Sequence, residues 1–455
     1  MIRRLRSQAG KAEGTTGRSA GRLGACLGSL VVLGAVPAIG HGAPQTAAAD
    51  PLAVVSEPVE QSPAEIREYW TRERMREAEP VELRVAAASR DPGRQPAVQE
   101  PTGKPTLVLP AGSGIPKTRA GLLDGLLGGG GGASTRDAVD ASANNTGFPQ
   151  RVHGKVFFTI SGGSDPGNFL CSGTAVRSPS HTLVWTAGHC VNDAEFNGGF
   201  ATNFEFVPGY RNGQRPFGEW AARQLFTTSG WQNNVNIRFD IGAAVLARDR
   251  DGRGIQDVVG ARGIAFNQSR NQTFVAYGYP AVSTPFRSFN GQLLYTCTSP
   301  RIGNDDPPGG GPEPMKIDCD MTGGSSGGGW VIDGQFVNSV TSYGYELDFN
   351  SLFGPYLGTT AQNLYEDARG KKRKCAGDEV TNLGGPASDD FDGTTQADSF
   401  KLRGGRDTAH ARAGADRLCG GKGKDRLIGG PGFDVCNGGK GRDRARGCER
   451  RRKIP

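Results

Sequence analysis

The sequence has few apolar residues, few histidines and no long hydrophobic run beyond its N-terminal region. Only 36% of its 455 residues are hydrophobic, whereas glycine and proline contribute 71 and 28 residues. This much glycine and proline argues against one compact core and predicts that parts of the chain are linker or repeat. After residue 49 no segment is apolar enough to cross a bilayer, so we expect no membrane span in the mature protein.

Residues 1–49 are typical of an export signal. The basic stretch "MIRRLRSQAGK" precedes an apolar run at residues 27–39, and small residues follow. Cleavage after Gly40 and cleavage after Ala49 both fit this pattern. We therefore expect a secreted, extracellular protein. Without Cys26 eight cysteines remain, and an even number in an exported chain indicates disulfides.

Residues 50–145 have the composition of a pro-region or linker with one helix. Ser62, Pro63 and Glu65 form a capping box with proline at the first helical position, and Pro80 ends the segment "AEIREYWTRERMREAE". A helix this short is marginal in water, so it needs a surface to pack on. A linker helix and a part of a propeptide both remain open.

Between residues 146 and 368 short β-rich runs alternate with Gly, Pro and Asn turns. Examples are "KVFFTI", "TLVWTA", "NFEFVPGY", "TFVAYGYP" and "GWVIDGQFV". Such runs, without long helical periodicity, predict an all-β barrel or sandwich. The length of this region suits two small barrels in one domain.

After a linker at 369–388, the tail at 389–455 repeats every nine residues. The repeat resembles G-G-x-G-x-D-x-U-x and is clearest in "GGKGKDRLI", "GGPGFDVCN" and "GGKGRDRAR". From residue 371 onwards Lys and Arg outnumber Asp and Glu by 20 to 12, so this part carries the basic character of the chain. The period places an aspartate at each of seven positions: Asp389, Asp398, Asp407, Asp416, Asp425, Asp434 and Asp443.

Three local sequences combine into a candidate catalytic set. The chain has five histidines, and only His189, in "VWTAGHCV", directly follows a β-rich run and precedes a cysteine. Asp240 opens the apolar run "DIGAAVL", and two serines lie in "GGSSGGGW". Each residue alone is more often structural. The ordered set of histidine, aspartate and serine predicts nucleophilic hydroxyl chemistry.

These three motifs resemble the trypsin/chymotrypsin-like serine peptidases (the S1 family), and are closest to its secreted V8-like bacterial branch. The resemblance covers residues 147–365 and implies a two-barrel peptidase domain. It implies that Ser326 attacks the peptide carbonyl, that His189 transfers the proton and that Asp240 orients the imidazole. Gly324 and Ser326 would supply the oxyanion-binding N–H groups. Ser326 is preferred to Ser325 because the family pattern is G-x-S-G.

The same resemblance implies a specificity pocket. Six residues before the nucleophile, Asp320 would form its base and favour Arg or Lys before the scissile bond. A structural hydrogen-bond acceptor role for Asp320 remains open. Ser325 replaces the aspartate that pairs with a freed N-terminus in trypsins, so that zymogen switch is not expected. The wall of the pocket is implied at four positions: Thr341, Ser342, Tyr343 and Gly344.

The resemblance also implies disulfides. Cys171 and Cys190 match the family pair that flanks the catalytic histidine, and Cys297–Cys319 follows as the pair nearest the site. Four tail cysteines allow three pairings, of which Cys436–Cys448 is favoured on closeness: Cys375, Cys419, Cys436 and Cys448.

The tail resembles the calcium-binding RTX repeats, which form a small parallel β-roll. Calcium prefers several oxygen ligands, and carboxylates of stacked repeats supply them. Lys and Arg at the variable positions would weaken such sites, so a cysteine-stapled roll without calcium remains open. The ligands that the resemblance implies are five aspartates: Asp407, Asp416, Asp425, Asp434 and Asp443.

Together these features predict a secreted serine endopeptidase that acts on proteins or peptides and carries a calcium-binding tail. The alternative is a catalytically inactive peptidase-fold binding protein that its basic tail attaches to a cell wall or another polyanion. Nucleic acid is not an expected partner, because the tail has little aromatic interleaving and its basic residues alternate with aspartate.

Overall fold

The computed structural model describes residues 2–4, 52–85, 103–110, 135–370, 382–394, 398–413, 416–431, 434–448 and 450–454. The predicted export signal, apart from residues 2–4, and Cys375 lie outside the described residues. No helix in the described parts is long and apolar enough to cross a membrane.

The first half of the peptidase region is a closed antiparallel barrel of six strands. Its alternating apolar side chains meet in one core, which includes Phe157, Trp185 and Phe206. Pairing of the first and last strands of the sheet closes the barrel. In sheet order the strands are Thr202–Pro208, His153–Ile160, Gly167–Ala175, Leu183–Thr186, Gly242–Leu246 and Trp220–Thr228. Asn192–Asp193 and Gly199–Phe200 form a separate two-stranded ribbon.

The second half is one large, mostly antiparallel sheet with its own core around Phe274 and Trp330. Its central strands, in sheet order, are Ser351–Gly354, Met315–Asp318, Tyr295–Asn304, Thr273–Gly278, Gly329–Ile332, Phe336–Val340 and Gly263–Phe266. One end of this sheet is extended by Tyr343–Tyr345, Leu83–Val85 and Ile2–Arg4, and the other end by Thr106–Val108. Strand Thr135–Asp140 pairs with Tyr295–Asn304.

Short helices connect these strands. The α-helices are Pro63–Tyr69, Arg72–Glu77, Ser229–Asn234, Ile255–Val259 and Thr359–Ala368. The 3-10 helices are Ser142–Asn144, Gln150–Val152, Gly188–Cys190 and Ile237–Phe239.

The predicted pro-region or linker, here called the pre-region, packs on the first barrel with its helices. The single helix that the sequence predicted is divided into two. The predicted capping box is present at Ser62, yet the first helix ends before Trp70, whose indole is buried against Phe157 at 5.4 Å between ring centroids. Thr71 then caps a second helix by accepting a hydrogen bond from Arg74 N at 3.2 Å. Burial of Trp70 and this second cap explain the break. Strand Val54–Pro58 adds to Trp220–Thr228.

The tail is a parallel β-roll with two sheets. Residues 18 apart pair, so each coil of the roll contains two nonapeptides. The residue two after each aspartate points inward, and Phe400, Leu418 and Leu427 are buried there. One sheet contains Asn382–Leu383, Ser399–Lys401, Arg417–Lys422, Val435–Lys440 and Arg450–Arg452, and the other contains Asp390–Asp392, Thr408–His410, Arg426–Ile428 and Arg444–Arg446. The prediction of an all-β peptidase region followed by a parallel β-roll is confirmed.

The three disulfides that the sequence favoured are present. They join Cys171 to Cys190, Cys297 to Cys319 and Cys436 to Cys448. Cys419 is also disulfide-bonded. The first bridge connects a central barrel strand to the 3-10 helix that carries His189, and so fixes that helix against the barrel.

Candidate active site

His189 and Asp240 form a buried pair at the edge of the first barrel. His189 lies in the 3-10 helix that follows strand Leu183–Thr186, and Asp240 ends the 3-10 helix before strand Gly242–Leu246. These two strands are neighbours in the barrel, which brings both side chains together. His189 Nδ1 lies 2.8 Å from Asp240 Oδ2, and His189 N donates to Asp240 Oδ1 at 2.8 Å. The carboxylate thus fixes both the ring and the backbone of His189.

Ser342 completes the environment of Asp240. Its hydroxyl donates to Asp240 Oδ2 at 2.5 Å. Asp240 is fully buried, so these contacts replace the water that a charged carboxylate would otherwise need. The sequence placed Ser342 only in the pocket wall and did not predict this contact.

The two serines of the glycine-rich loop have different environments. Ser325 is fully buried, and its hydroxyl donates to the carbonyl of Thr322. Ser326 is also buried, but its hydroxyl donates across the cleft to Val81 O at 3.1 Å, and its carbonyl accepts a hydrogen bond from Ser172 N at 2.7 Å. Of the two hydroxyls, that of Ser326 is the one whose hydrogen-bond partner lies across the cleft.

Glycine is required on both sides of this serine pair. Gly324 and Gly327 adopt φ values of 95° and 79°, which side chains rarely tolerate. A Cβ on Gly327 would lie 2.0 Å from Thr186 Oγ1, and one on Gly328 would lie 1.9 Å from the carbonyl oxygen of Tyr277. The loop therefore packs tightly against both the first barrel and the second sheet.

The predicted wall of the pocket does line the cleft. Thr341, Ser342, Tyr343 and Gly344 all face it, together with Thr322. Thr341 Oγ1 accepts a hydrogen bond from Trp330 Nε1 at 3.0 Å. Burial, next to the Asp305 carboxylate, raises the pKa of the Tyr343 hydroxyl well above its usual value, so it stays protonated and donates to Asp305 at 2.6 Å.

Asp320 is not at the base of this cleft. Its carboxylate accepts hydrogen bonds from Ala138 N at 2.7 Å and from Arg287 Nη1 at 2.8 Å, and it does not line the cleft. The contacts are those of the structural alternative, because Asp320 joins the strand Thr135–Asp140 to the loop that carries Arg287. Because these contacts occupy the carboxylate, they favour the structural alternative for Asp320 over a preference for Arg or Lys.

A segment of the pre-region also lies in the cleft, which the sequence did not predict. Glu82, Leu83 and Arg84 line it, and Val81 O accepts hydrogen bonds from Gly324 N at 3.0 Å and Ser326 Oγ at 3.1 Å. The alternation of apolar and polar residues in "VELRV" is a signal for a half-buried strand, although it does not identify the partner strand.

The aspartates of the β-roll have a repeated environment. Asp407, Asp416, Asp425 and Asp443 are buried, and Oδ1 of each accepts the N–H of the aspartate 18 residues earlier. Their Oδ2 atoms are buried without a hydrogen-bond partner among the described residues. A row of buried carboxylate oxygens without donors fits a hard cation.

The first two aspartates of the series differ. Asp389 Oδ2 accepts from Gly385 N at 2.7 Å, and Asp398 Oδ2 accepts from Thr394 N at 2.6 Å. Their second oxygens are therefore already bound by backbone N–H groups, which agrees with leaving them out of the predicted ligand set.

Comparison with solved structures identifies relatives of the peptidase region. The protease Anisep from Arthrobacter nicotinovorans is 40% identical, and the match covers 98% of that chain and 49% of this one, with a TM-score of 0.44. The thermostable serine protease AL20 from an extremophilic microorganism is 42% identical over 99% of that chain and 49% of this one, with a TM-score of 0.43. The chain belongs to the trypsin-like serine proteases. The rest of this protease lies outside the match to these relatives.

Two further matches were found. A Glu endopeptidase solved in complex with MPD is 18% identical to this serine protease, over 97% of that chain and 51% of this one, with a TM-score of 0.41. The RTX calcium-binding nonapeptide repeat (4 copies) matches the protease at residues 383–418 and 412–445. No curated protein matches it.

Proposed function

We propose that the chain is a secreted serine endopeptidase that hydrolyses peptide bonds through Ser326, His189 and Asp240. The observation that carries the proposal is the buried set of contacts around Asp240, next to a glycine loop that presents Ser326 and the N–H of Gly324 to one point. Identity of 40% to a protease, across nearly the whole of that relative, supports the same chemistry.

In this mechanism Ser326 Oγ attacks the carbonyl carbon of the substrate as His189 Nε2 takes its proton. Asp240 holds the imidazole in the tautomer with the proton on Nδ1 and stabilises the imidazolium that forms. The backbone N–H groups of Gly324 and Ser326 bind the oxyanion, and one such donor contributes about 3 kcal/mol to lowering the barrier. His189 then returns the proton to the leaving amine, and water releases the acyl group by the same steps in reverse.

We further propose that the β-roll binds calcium. The buried Oδ2 atoms of Asp407, Asp416, Asp425 and Asp443 fit a divalent cation, and Asp434 completes the predicted set. Bound calcium would neutralise these carboxylates and link successive coils. The chemistry at Ser326 has no step that uses the metal.

Digestion of a mixture of proteome-derived peptides tests the proposed activity. We expect the wild-type protein to create new termini with a consistent residue pattern around the cut. The Ser326→Ala variant should create none, because loss of a catalytic serine costs on the order of 10⁶ in kcat. Hydrolysis by the variant at the wild-type rate would contradict the proposed nucleophile. A wild type that stays inactive after the pro-region has been removed would favour the alternative of a binding protein.

A further inference from the structure

Residues 79–85, here called the cleft segment, cross the whole active site. Glu79–Pro80 pairs with Phe169 and Leu170 on the first barrel, and Leu83–Val85 pairs with Tyr343–Tyr345 on the second sheet. Between them Val81 N donates to Leu170 O at 3.1 Å, while Val81 O accepts from Gly324 N and Ser326 Oγ. The segment thus places a carbonyl oxygen where the proposed mechanism places the oxyanion.

The cleft segment runs in the direction opposite to a substrate. The pocket wall at residues 341–344 receives the residue before the scissile bond, so the N-terminal half of a substrate lies on that side. In the cleft segment the N-terminal residues lie instead against Phe169 and Leu170, and the C-terminal residues lie against the wall. The pairing with Tyr343–Tyr345 is accordingly parallel.

The segment also takes the hydrogen bond of the nucleophile. Ser326 Oγ donates its hydrogen bond to Val81 O at 3.1 Å. His189 Nε2 is buried and has no hydrogen-bond partner among the described residues. The proton that the base must take therefore points at the cleft segment.

Buried contacts hold the C-terminal half of the segment in place. Leu83 and Val85 are buried in a cluster with Trp231 and Phe353. Glu82 accepts a hydrogen bond from Gly323 N at 3.0 Å and pairs with Arg84.

Arg84 extends this network to the wall, because it donates to the carbonyls of Tyr345 and Asp348 at 2.7 and 3.2 Å. Arg84 is only 4% exposed. Without Arg84 the buried carboxylate of Glu82 would keep only the N–H of Gly323 and would have no cationic partner.

We propose that the cleft segment is a built-in inhibitor that binds the protease active site backwards and is not cut there. The proposal rests on the proposed function, since it assumes that Ser326 is the nucleophile. It assigns a regulatory role to residues 79–85 that differs from the aspartate-dependent switch of trypsins, for which Ser325 lacks the charge.

Resistance to cleavage follows from the reversed direction. If Ser326 attacked the Val81 carbonyl, the bond between Val81 C and Glu82 N would have to break, and Glu82 N would need a proton. In this direction Glu82 continues toward Tyr343, whereas the leaving amine of a substrate lies on the Leu170 side, next to the Cys171–Cys190 bridge and His189. The base is therefore on the wrong side to protonate the leaving nitrogen.

A serine-directed fluorophosphonate probe tests the block on the full chain. Labelled protein is separated on a gel, which resolves the intact chain of 47.9 kDa from shorter processed forms. We expect the intact wild-type chain to label slowly, and intact Arg84→Ala to label at least about tenfold faster, because Glu82 loses its partner and the segment loosens. Arg76→Ala is the matched control, since Arg76 is an exposed arginine of the same pre-region.

The outcomes separate this proposal from the proposed function. Equal and rapid labelling of the intact wild-type and Arg84→Ala chains would overturn the inhibitor. Failure of every form to label, processed forms included, would instead overturn the serine mechanism itself.

A second measurement does not depend on how the variants fold. A synthetic peptide of residues 62–85, which includes both short helices and the cleft segment, is added to the processed, active protein. We expect competitive inhibition and recovery of a peptide that is uncut between Val81 and Glu82. Cleavage of that bond at the rate of an ordinary substrate would mean a forward orientation, and absence of inhibition would also contradict the proposal.

Discussion

At the scale of single residues, the buried Asp240 and the partly buried Asp320 differ in what binds them. Asp240 is bound by His189 and Ser342, so its carboxylate lies in direct contact with the imidazole. Asp320 is bound by Arg287 and by Ala138 N, so its charge is neutralised away from the cleft. The difference determines which carboxylate can influence catalysis and which contributes only to stability.

Replacement of Asp320 should therefore change stability and leave specificity unchanged. We expect Asp320→Ser to lower the free energy of unfolding by about 1–3 kcal/mol, because Arg287 and the N–H of Ala138 lose their acceptor. A panel of fluorogenic peptides that vary only the residue before the scissile bond should give the same order of preference for both proteins. Arg287→Ala should cause a similar loss of stability. A preference for Arg or Lys that disappears in Asp320→Ser would show that this reading of Asp320 is wrong.

The buried carboxyl group of Glu205 should make the free energy of unfolding fall as the pH rises. It is fully buried in strand Thr202–Pro208, and neither of its carboxylate oxygens has a hydrogen-bond partner among the described residues. Burial raises the pKa of Glu205 to about 8, which Arg215 and Arg67 offset only in part. The folded protein thus keeps a proton between pH 4.5 and about 8 that the unfolded chain releases, so the contribution of Glu205 to stability falls as the pH rises through this window.

The variant Glu205→Gln should remove this dependence. We expect the variant and the wild type to differ little in unfolding free energy near pH 4, where Glu205 is protonated in both states. At pH 9 the variant should be more stable, by an amount on the order of a few kcal/mol. Chemical denaturation at both pH values measures the difference, and Glu57→Gln, at an exposed position, is the control. A difference that does not change with pH would rule out a raised pKa.

At the scale of elements, the β-roll contains buried carboxylate oxygens that receive no hydrogen bond from the described residues. Each coil contributes two aspartates, one from each nonapeptide. At Asp407, Asp416, Asp425 and Asp443 the Oδ1 atom is bound by the previous coil, while Oδ2 is left for another ligand. Burial raises the pKa of Asp425 above its usual value, and the single hydrogen bond from Asp407 N offsets this only in part. A cation that supplies positive charge would relieve this cost.

Calcium should therefore stabilise the roll through specific aspartates. In the full chain, millimolar calcium should protect residues 389–455 from limited proteolysis, and chelator should remove the protection. Asp425→Asn should weaken the calcium effect, because a buried Oδ2 and its charge are lost. Asp389→Asn should leave it nearly unchanged, because Asp389 Oδ2 already accepts from Gly385 N. Equal effects of the two substitutions, or no response to calcium, would contradict the proposed sites.

At the scale of the whole molecule, local patterns and long-range contacts were not equally predictable. The nine-residue period predicted the β-roll, because identical spacing forces identical coils to stack. The glycine loop and its serine were predicted because positive φ and close packing leave few residue choices at Gly324 and Gly327. The location of Asp320 and of the cleft segment depends on Arg287 and Tyr343, which are distant in sequence, and no local pattern encodes such partners.

The most direct test of the account is the site at which a fluorophosphonate reacts. The wild-type protein is incubated with the fluorophosphonate until labelling is complete and is then digested. The labelled residue is located by mass spectrometry, in parallel with Ser325→Ala and Ser326→Ala. We predict one adduct per chain, on Ser326, because the Ser325 hydroxyl donates to Thr322 O within its own loop, whereas the Ser326 hydroxyl donates across the cleft to Val81 O. The adduct and peptide hydrolysis should persist in Ser325→Ala and both should be lost in Ser326→Ala. An adduct on Ser325, or undiminished hydrolysis by Ser326→Ala, would contradict the assignment of the nucleophile.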